Sequence, residues 1–392
     1  MSRTLAMLFV LSACTGSDPT DSDTDPDTDP LVEECDADGD GVEAVSCGGL
    51  DCDDDDATVR PGEPERLGDD IDQDCNGKPN LGTILDAPFD GELFGHWSFS
   101  PDGQLFGGLT KRPGDEVDSV QMPVGTGAVP VVFETEVLAF TVTAPPVRVW
   151  VGTTPFDVFG FTDRLVGGIA MHEGSAVDVI AERPGDGPTW VSSAVVGDEI
   201  QSVGCGSGLL EWASSVFQET TQYVSLEQEG NRCAPLGTGA GYPLLSGDEQ
   251  PGPLNRWRVR DGEITDRTTI VPNKSLANIA TSARSGQALY AFTDVEQIYL
   301  FDVQARGVIL DGEGRISSIA VSGDGKDGYA LAWVTTAGRL KIAWGTLAGE
   351  EPTVISTLVP NADQPIAVSL TDQALTVAWV GDDGWHIEQA LR

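Results

Sequence analysis

Basic residues are scarce in this chain. Only 22 Lys and Arg stand against 63 Asp and Glu over 392 residues, a net charge of −41. A surface this acidic repels the phosphate backbone, which excludes DNA and RNA as partners. Histidine is almost missing: His96, His172 and His386 lie far apart and form no His-Glu-x-x-His pair, so hydrolytic zinc has no ligand set. There is no Gly-x-Ser-x-Gly elbow and no phosphate-cradling loop; Gly237 to Gly241 reads as a flexible turn. No catalytic residue can be assigned from the sequence. Beyond the first 13 residues no apolar run approaches the ~18 needed to cross a bilayer as a helix. Chain-breakers are plentiful instead, with 47 Gly and 24 Pro, which argues against a helical bundle and for a mainly β protein.

The chain opens with Arg3, an apolar run from Leu5 to Val10, and Leu11-Ser12-Ala13-Cys14. Small residues before a thiol suit a signal peptidase, so residues 1–13 read as a signal peptide and Cys14 as a lipidated first residue. The stretch resembles a bacterial lipobox, and Thr15 after the cysteine implies, by resemblance to Gram-negative lipoproteins, an outer-membrane protein on its periplasmic or cell-surface face. Membrane attachment is then through lipid alone. Residues 15–30 repeat an Asp-Thr-Asp-Pro theme without one large apolar side chain. Repelling aspartates and polyproline-favouring prolines predict an extended spacer with a reach of roughly 50 Å.

Setting Cys14 aside, six cysteines remain: Cys35, Cys47, Cys52, Cys75, Cys205 and Cys233. In an exported chain they are disulfide candidates. The first four allow three pairings, and Cys35–Cys47 with Cys52–Cys75 is the expected one. A bridge from Cys52 to Cys75 is worth about 3 kcal/mol by loop closure. Cys205 with Cys233 would pin a long loop further on.

Residues 31–80 carry the strongest chemical signal. Of the 63 acidic residues, 23 fall in residues 15–80, against 3 of the 22 basic ones. Oxygen-bearing side chains recur at every second position in Asp36, Asp38, Asp40 and again in Asp72, Asp74, Asn76, each series followed by a glycine, Gly41 or Gly77. Side chains at positions 1, 3 and 5 of a Ca²⁺ loop turn inward around the ion, and a glycine at 6 allows the bend. Position 12 holds Cys47 or Thr83 rather than a bidentate Glu, so these are not EF-hands. Asp51, Asp53 and Asp54 complete the candidate metal ligands. Carboxylates, an amide and carbonyls suit Ca²⁺, here in a structural role, with affinity in the range of roughly 10⁻⁴ to 10⁻³ M.

The same residues resemble a MopE-type metal-binding motif of bacterial exported proteins: Asp51-Cys52-Asp53-Asp54, then Pro61-Gly62-Glu63-Pro64-Glu65, then Gly68 to Gly77. The resemblance covers about 45 residues and implies a short, cysteine-stapled metal site. Arg66 and Leu67 stand where the family usually has a cysteine. The acidic turns also resemble thrombospondin type-3 calcium repeats, which implies ions shared between turns.

From residue 85 to 392, short apolar runs such as Val147 to Val151, Ile298 to Val303 and Leu375 to Val380 alternate with Gly, Pro, Asp and Asn turns every 8 to 12 residues. Only Gly208 to Leu226 competes as a helix. Ala332-Trp333-Val334 recurs as Ala378-Trp379-Val380. Extending this register back through Phe292, Tyr242 or Trp257, Trp190, Trp150 and Phe106 gives a mean period near 45, the length of a four-stranded blade. Ser100-Pro101-Asp102-Gly103 and Ser322-Gly323-Asp324-Gly325 resemble the blade turns of TolB-type propellers. The expectation is a β-propeller of six or seven blades; paired β-sandwiches are the alternative. The functional expectation is a protein or glycan interaction platform, with Trp212, Trp257 and Trp385 as candidates for an exposed binding face. The other class is a propeller enzyme of glycosidase or lyase type, with Asp115, Glu116, Asp118, Asp382 or Asp383 gathered at the channel.

Overall fold

The computed structural model describes residues 35–392 except 88–91, 113–116, 126–130, 135–140, 165, 174–175, 197–198, 207–208, 217–218, 227–231, 236–242, 248–251, 261–262, 275–276, 285–286, 349–350, 359–365 and 382–383. The signal-peptide reading, Cys14 and the acidic spacer lie outside the described residues. Among those described there is no α-helix.

A first strand, β1 (Gly82–Ala87), is followed by seven groups of strands. Blade one holds β2 (Glu92–Phe99), β3 (Leu105–Lys111), β4 (Val117–Pro123) and β5 (Val131–Glu134). Blade two holds β6 (Thr141–Val151), β7 (Thr154–Asp163), β8 (Val166–Glu173) and β9 (Ala176–Pro184). Blade three holds β10 (Trp190–Val196), β11 (Glu199–Gly206), β12 (Leu209–Val216) and β13 (Glu219–Leu226). Blade four holds β14 (Arg232–Pro235), β15 (Pro243–Gly247), β16 (Gly252–Arg260) and β17 (Glu263–Lys274). Blade five holds β18 (Asn278–Arg284), β19 (Gln287–Asp294), β20 (Gln297–Asp302) and β21 (Gly307–Asp311). Blade six holds β22 (Ile316–Gly323), β23 (Gly328–Thr335), β24 (Arg339–Thr346) and β25 (Thr353–Leu358). Blade seven holds β26 (Ala367–Leu370), β27 (Ala374–Gly381) and β28 (Gly384–Leu391).

Within each blade the strands pair antiparallel in sequence order. The innermost strands β2, β6, β10, β14, β18, β22 and β26 each touch the next, and β26 returns to β2, so the ring is a seven-bladed β-propeller. Its closure joins the two parts of the chain: β1 adds antiparallel to the outer edge of β28, with Gly82 opposite Gln389 and Ala87 opposite Trp385. Blades one and two also share a single parallel pair, His96 with Val147.

Cores lie between blades. Val334, Leu340 and Ile342 of blade six pack on Leu375, Val377 and Trp379 of blade seven. Trp97, Phe106 and Met122 of blade one pack on Trp385 and Ile387 of blade seven. A second strand such as β23 is covered on both faces, and all eight of its residues are buried. That explains why Gly328-Tyr329-Ala330-Leu331-Ala332-Trp333-Val334-Thr335 reads as a nearly continuous apolar run rather than an alternating one. A fully buried Leu or Val of this strand contributes about 1.5–3 kcal/mol by removal from water.

One open choice is decided and one expectation is corrected. Within Gly208 to Leu226, the stretch that competes as a helix, the described residues form β12 and β13 as antiparallel partners, since β-branched and aromatic residues favour the extended chain. The aromatic register also mixes strands. Phe106, Phe292, Trp333 and Trp379 sit on second strands, but Trp150 and Trp190 fall on first strands and Trp257 on a third. An inter-blade core accepts a large ring from more than one strand, so aromatics mark blades without marking one fixed position. The two Ser-x-Asp-Gly turns do occupy equivalent places, after the innermost strands of blades one and six.

Candidate metal centre

Residues 35–81 have almost no regular structure. A 3₁₀ turn spans Val45–Cys47, and Ala44 forms an isolated bridge with Asp51. Ala44, Val59 and Leu81 are the buried hydrophobic residues described there, too few for a core. Disulfides Cys35–Cys47 and Cys52–Cys75 cross-link the segment, and Cys205–Cys233 links β11 to β14. Three disulfides mark the protein as extracytoplasmic.

Carboxylates do the work that a ladder does elsewhere. In the first loop, Asp36 accepts the N–H of Gly41 (3.2 Å), Asp38 that of Asp40 (3.0 Å) and Asp40 that of Val42 (2.7 Å). In the second, Asp72 accepts from Gly77 (2.6 Å), Asp74 from Asn76 (3.1 Å) and Asn76 Oδ1 from Lys78 (2.7 Å). The pattern repeats position by position. Gly41 and Gly77 both have positive φ, +94° and +81°, so the glycine at position 6 serves the bend that brings positions 1, 3 and 5 to one side.

Two groups of carboxylates result, each with one oxygen per residue lying within 4.8 Å of the others: Asp36, Asp38 and Asp40, and Glu65, Asp72 and Asp74. Arg60 joins the loops, donating from Nη1 to the Asp40 carbonyl (2.8 Å) and from its backbone N–H to the Gln73 carbonyl (2.7 Å). In the first group, one buried oxygen each of Asp36, Asp38 and Asp40, and another of Asp51, has no hydrogen-bond donor among the described residues. Asp51 is 2% exposed and the Asp40 side chain 1%. The nearest cation, Arg60 Nε, stands 3.8 Å from Asp40 Oδ2. Desolvation raises the pKa of Asp38, and Asp40, Asp51 and Asp36 add repulsion that the Asp40 N–H only partly offsets.

In the second group Glu65 is fully buried. Its Oε1 accepts the Asp74 N–H and its Oε2 the Asn80 N–H, both at 2.9 Å. Burial raises the pKa of Glu65 and of Asp74, with Asp72 as a repelling neighbour of both. The space is tight: a Cβ on Gly82 would lie 3.0 Å from Asp74 Oδ2 and 3.2 Å from Glu65 Cγ. Both groups therefore concentrate anionic oxygen where a bare carboxylate is costly, and a bound cation would remove that cost. The donors are oxygens only, since no histidine is present and all four cysteines are bridged.

Of the sequence-predicted ligands, Asp36, Asp38 and Asp40 come together, as do Asp72 and Asp74. Asp51 is an acidic neighbour of Asp38. Asn76 sits in its loop with Oδ1 on the Lys78 N–H. Asp53 and Asp54 belong to neither group; Asp54 instead accepts the Ala37 N–H at 3.0 Å. Sequence reasoning missed Glu65, whose only signal was the Pro64-Glu65 pair ahead of the second loop.

The module is fastened to the closing blade. Leu67 N–H donates to the Leu391 carbonyl and Leu391 N–H to the Glu65 carbonyl, both at 2.7 Å. Lys78 pairs with Glu388 at 3.2 Å, and Leu81 enters the core between blades six and seven. Elsewhere, Asp118 lies on β4 in an ion pair with Arg112 at 2.6 Å. Asp115, Glu116, Asp382 and Asp383 lie outside the described residues. Trp257 and Trp385 are buried, at 3% and 2% exposed, so neither supplies an open face; Trp385 packs between blades one and seven. The side chain of Trp212 lies outside what is described.

Comparison with known proteins agrees with these two parts. No curated protein matches the chain. Among solved structures it is similar to the "Dos1 propeller" at 10% identity, covering 79% of this chain and 95% of that one with a TM-score of 0.50. It is also similar to a streptogramin B lyase (15% identity, 80% and 97% covered, TM-score 0.49) and to the BP39L lectin of Burkholderia pseudomallei (13% identity, 76% and 96% covered, TM-score 0.47). Residues 51–79 match the family model Cu-binding_MopE, described as "Putative metal-binding motif".

Proposed function

We propose that this protein is a cell-envelope lipoprotein in which a calcium-stapled acidic module, residues 31–80, presents the propeller, residues 85–392, as a platform for a protein or glycan ligand. The observation that carries the calcium reading is the set of four buried carboxylate oxygens, on Asp36, Asp38, Asp40 and Asp51, that lack a donor. Calcium accepts six to eight oxygens in a flexible shell and tolerates several carboxylates, whereas copper and zinc favour imidazole or thiolate. Asp72, Asp74 and Asn76, with Glu65, form the second proposed ligand set. The ion is structural: it neutralises a segment that has no core of its own. Lipidation at Cys14 and the spacer of residues 15–30 would hold the assembly away from an outer membrane.

Isothermal titration of the oxidised protein with calcium tests the reading. Saturable heat is expected below or near millimolar concentration, and D38N/D40N should remove the share of the first ligand set while leaving that of the second. No heat at millimolar calcium would overturn the proposal. Labelled palmitate should enter the wild type and not C14S; equal labelling of the two would remove the tether.

A further inference from the structure

The propeller's centre holds an open cavity of about 280 Å³ walled by its innermost strands, just under the usual size of small-molecule sites. Its charge departs from that of the whole molecule. In a chain with 63 acidic residues, no Asp or Glu lines this wall among the described residues, while Arg148, Arg284 and His96 do. A cation would find no counter-charge there.

Arg148 is already spent, with Nε and Nη2 on the two oxygens of Asp157 at 2.8 and 2.6 Å. Arg284 is not. Its Nη1 donates to the Leu370 carbonyl at 2.6 Å, and its remaining N–H groups make no hydrogen bond among the described residues. Asp102 and Asp372 feel its charge without forming an ion pair with it. Hydroxyls surround the same space. Ser282 Oγ accepts the Gly323 N–H at 3.2 Å and Ser322 Oγ the Leu370 N–H at 3.0 Å. Each bond stitches one blade to the next and uses a lone pair, which leaves the hydroxyl hydrogen free to donate. Ser192 and Thr281 add wall hydroxyls with no hydrogen bond among the described residues.

His96 reaches the wall through an irregularity. Pairing of β2 with β3 breaks between Phe94 and Ser98, and Gly95 takes φ +86°, where a Cβ would fall 2.1 Å from the Pro146 carbonyl oxygen. A bulge of this kind re-aims the side chain beside it. The imidazole is exposed to the cavity, edge-on to Trp190 with ring centroids 6.2 Å apart. Desolvation by the dense surroundings lowers its pKa, so it presents one N–H donor and one acceptor at neutral pH.

From this donor-rich, acid-free wall we infer that the channel binds a small hydroxylated carboxylate, a sugar acid of the uronate type, with Arg284 on its carboxylate and wall hydroxyls on its oxygens. A phosphate dianion would call for more than one unspent cation, and Arg284 is the one described on this wall. The inference deepens the platform reading and rests on the propeller being its ligand-binding half.

Saturation-transfer NMR titrations of the oxidised full chain with D-galacturonate and D-galactose test it. Galacturonate should bind saturably and galactose about tenfold more weakly, the size of one charge-assisted contact. R284Q should abolish that preference. Because R284Q also alters the Leu370 bond, T281V serves as the second variant; it removes a hydroxyl that carries no bond in the protein and should weaken galacturonate several-fold. Equal binding of both sugars, no saturation up to about 10 mM, or binding indifferent to both variants would overturn the inference. Calcium heat without galacturonate binding sinks this inference alone; galacturonate binding without calcium heat sinks the calcium reading alone. A glycan bound elsewhere and unaffected by R284Q and T281V would keep the platform and remove the channel.

Discussion

Residues 35–81 and the blades solve the same problem with different means. In the blades, backbone polar groups are satisfied by strand ladders, and apolar side chains fill the space between sheets. In the acidic module, Asp side chains accept the backbone N–H groups and two disulfides replace the missing core. The consequence is a division of sensitivities. Blades should fail through lost packing or a stranded buried charge, and the module through lost cross-links or lost cations.

The largest effect should come where the blades borrow the module's electrostatic habit. Arg148 is fully buried on β6, paired with Asp157 on β7, and reaches Ser119 and the Val120 carbonyl of blade one. Arg148→Ala removes the guanidinium that pairs with the buried Asp157 carboxylate, which should cost about 3–5 kcal/mol in denaturant unfolding. A loss below about 1 kcal/mol would mean that the blade interface relaxes around the charge.

Next is the module's covalent staple. Replacing Cys52 and Cys75 by Ser should cost about 3 kcal/mol, the entropy of the loop they close. The comparison sharpens if hydrogen exchange rises in residues 35–81 while β18 to β27 keep their protection. Protection lost throughout would show that the module governs closure of the whole ring.

Calcium removal ranks third. For a millimolar site, roughly 10 mM calcium stabilises by about 1.4 kcal/mol, and EDTA should withdraw that amount from the module only. Limited proteolysis should then cut within residues 35–81 and spare the blades.

How far these differences could be read in the sequence also divides by region. The Asp-x-Asp repeats announce themselves because a loop around an ion is local: positions 1, 3 and 5 are close in sequence and in space. Glu65 escaped because it reaches Asp72 and Asp74 across a turn that no spacing rule describes. The blade pattern was legible in Trp333 and Trp379, whose strands are buried on both faces. Closure was not, because β1 looks like any short apolar run until it meets β28 some three hundred residues later. The ambiguity between helix and strand at Gly208 to Leu226 has the same origin. Periodicity reports one element's faces, and only pairing with β11 decides between them.

The smallest predicted effect concerns acid and the end of the chain. Asp324, in the turn after β22, is driven up by burial, but its bonds from Arg392 (3.0 Å), Lys326 N–H (2.9 Å) and Gly328 N–H (3.0 Å) outweigh that and hold its pKa below the usual 3.8. A depressed folded-state pKa gives stability that is complete above the unfolded value and is lost as pH falls through the folded one. The propeller's melting temperature should therefore decline as pH drops below about 4, with D324N lower at neutral pH and flatter across that range by a few degrees at most. Arg392 also donates to the Thr371 carbonyl, so the bond ties the end of β28's chain to blades six and seven. An equally steep acid decline in D324N would shift the acid sensitivity from this blade junction to the carboxylates of the module.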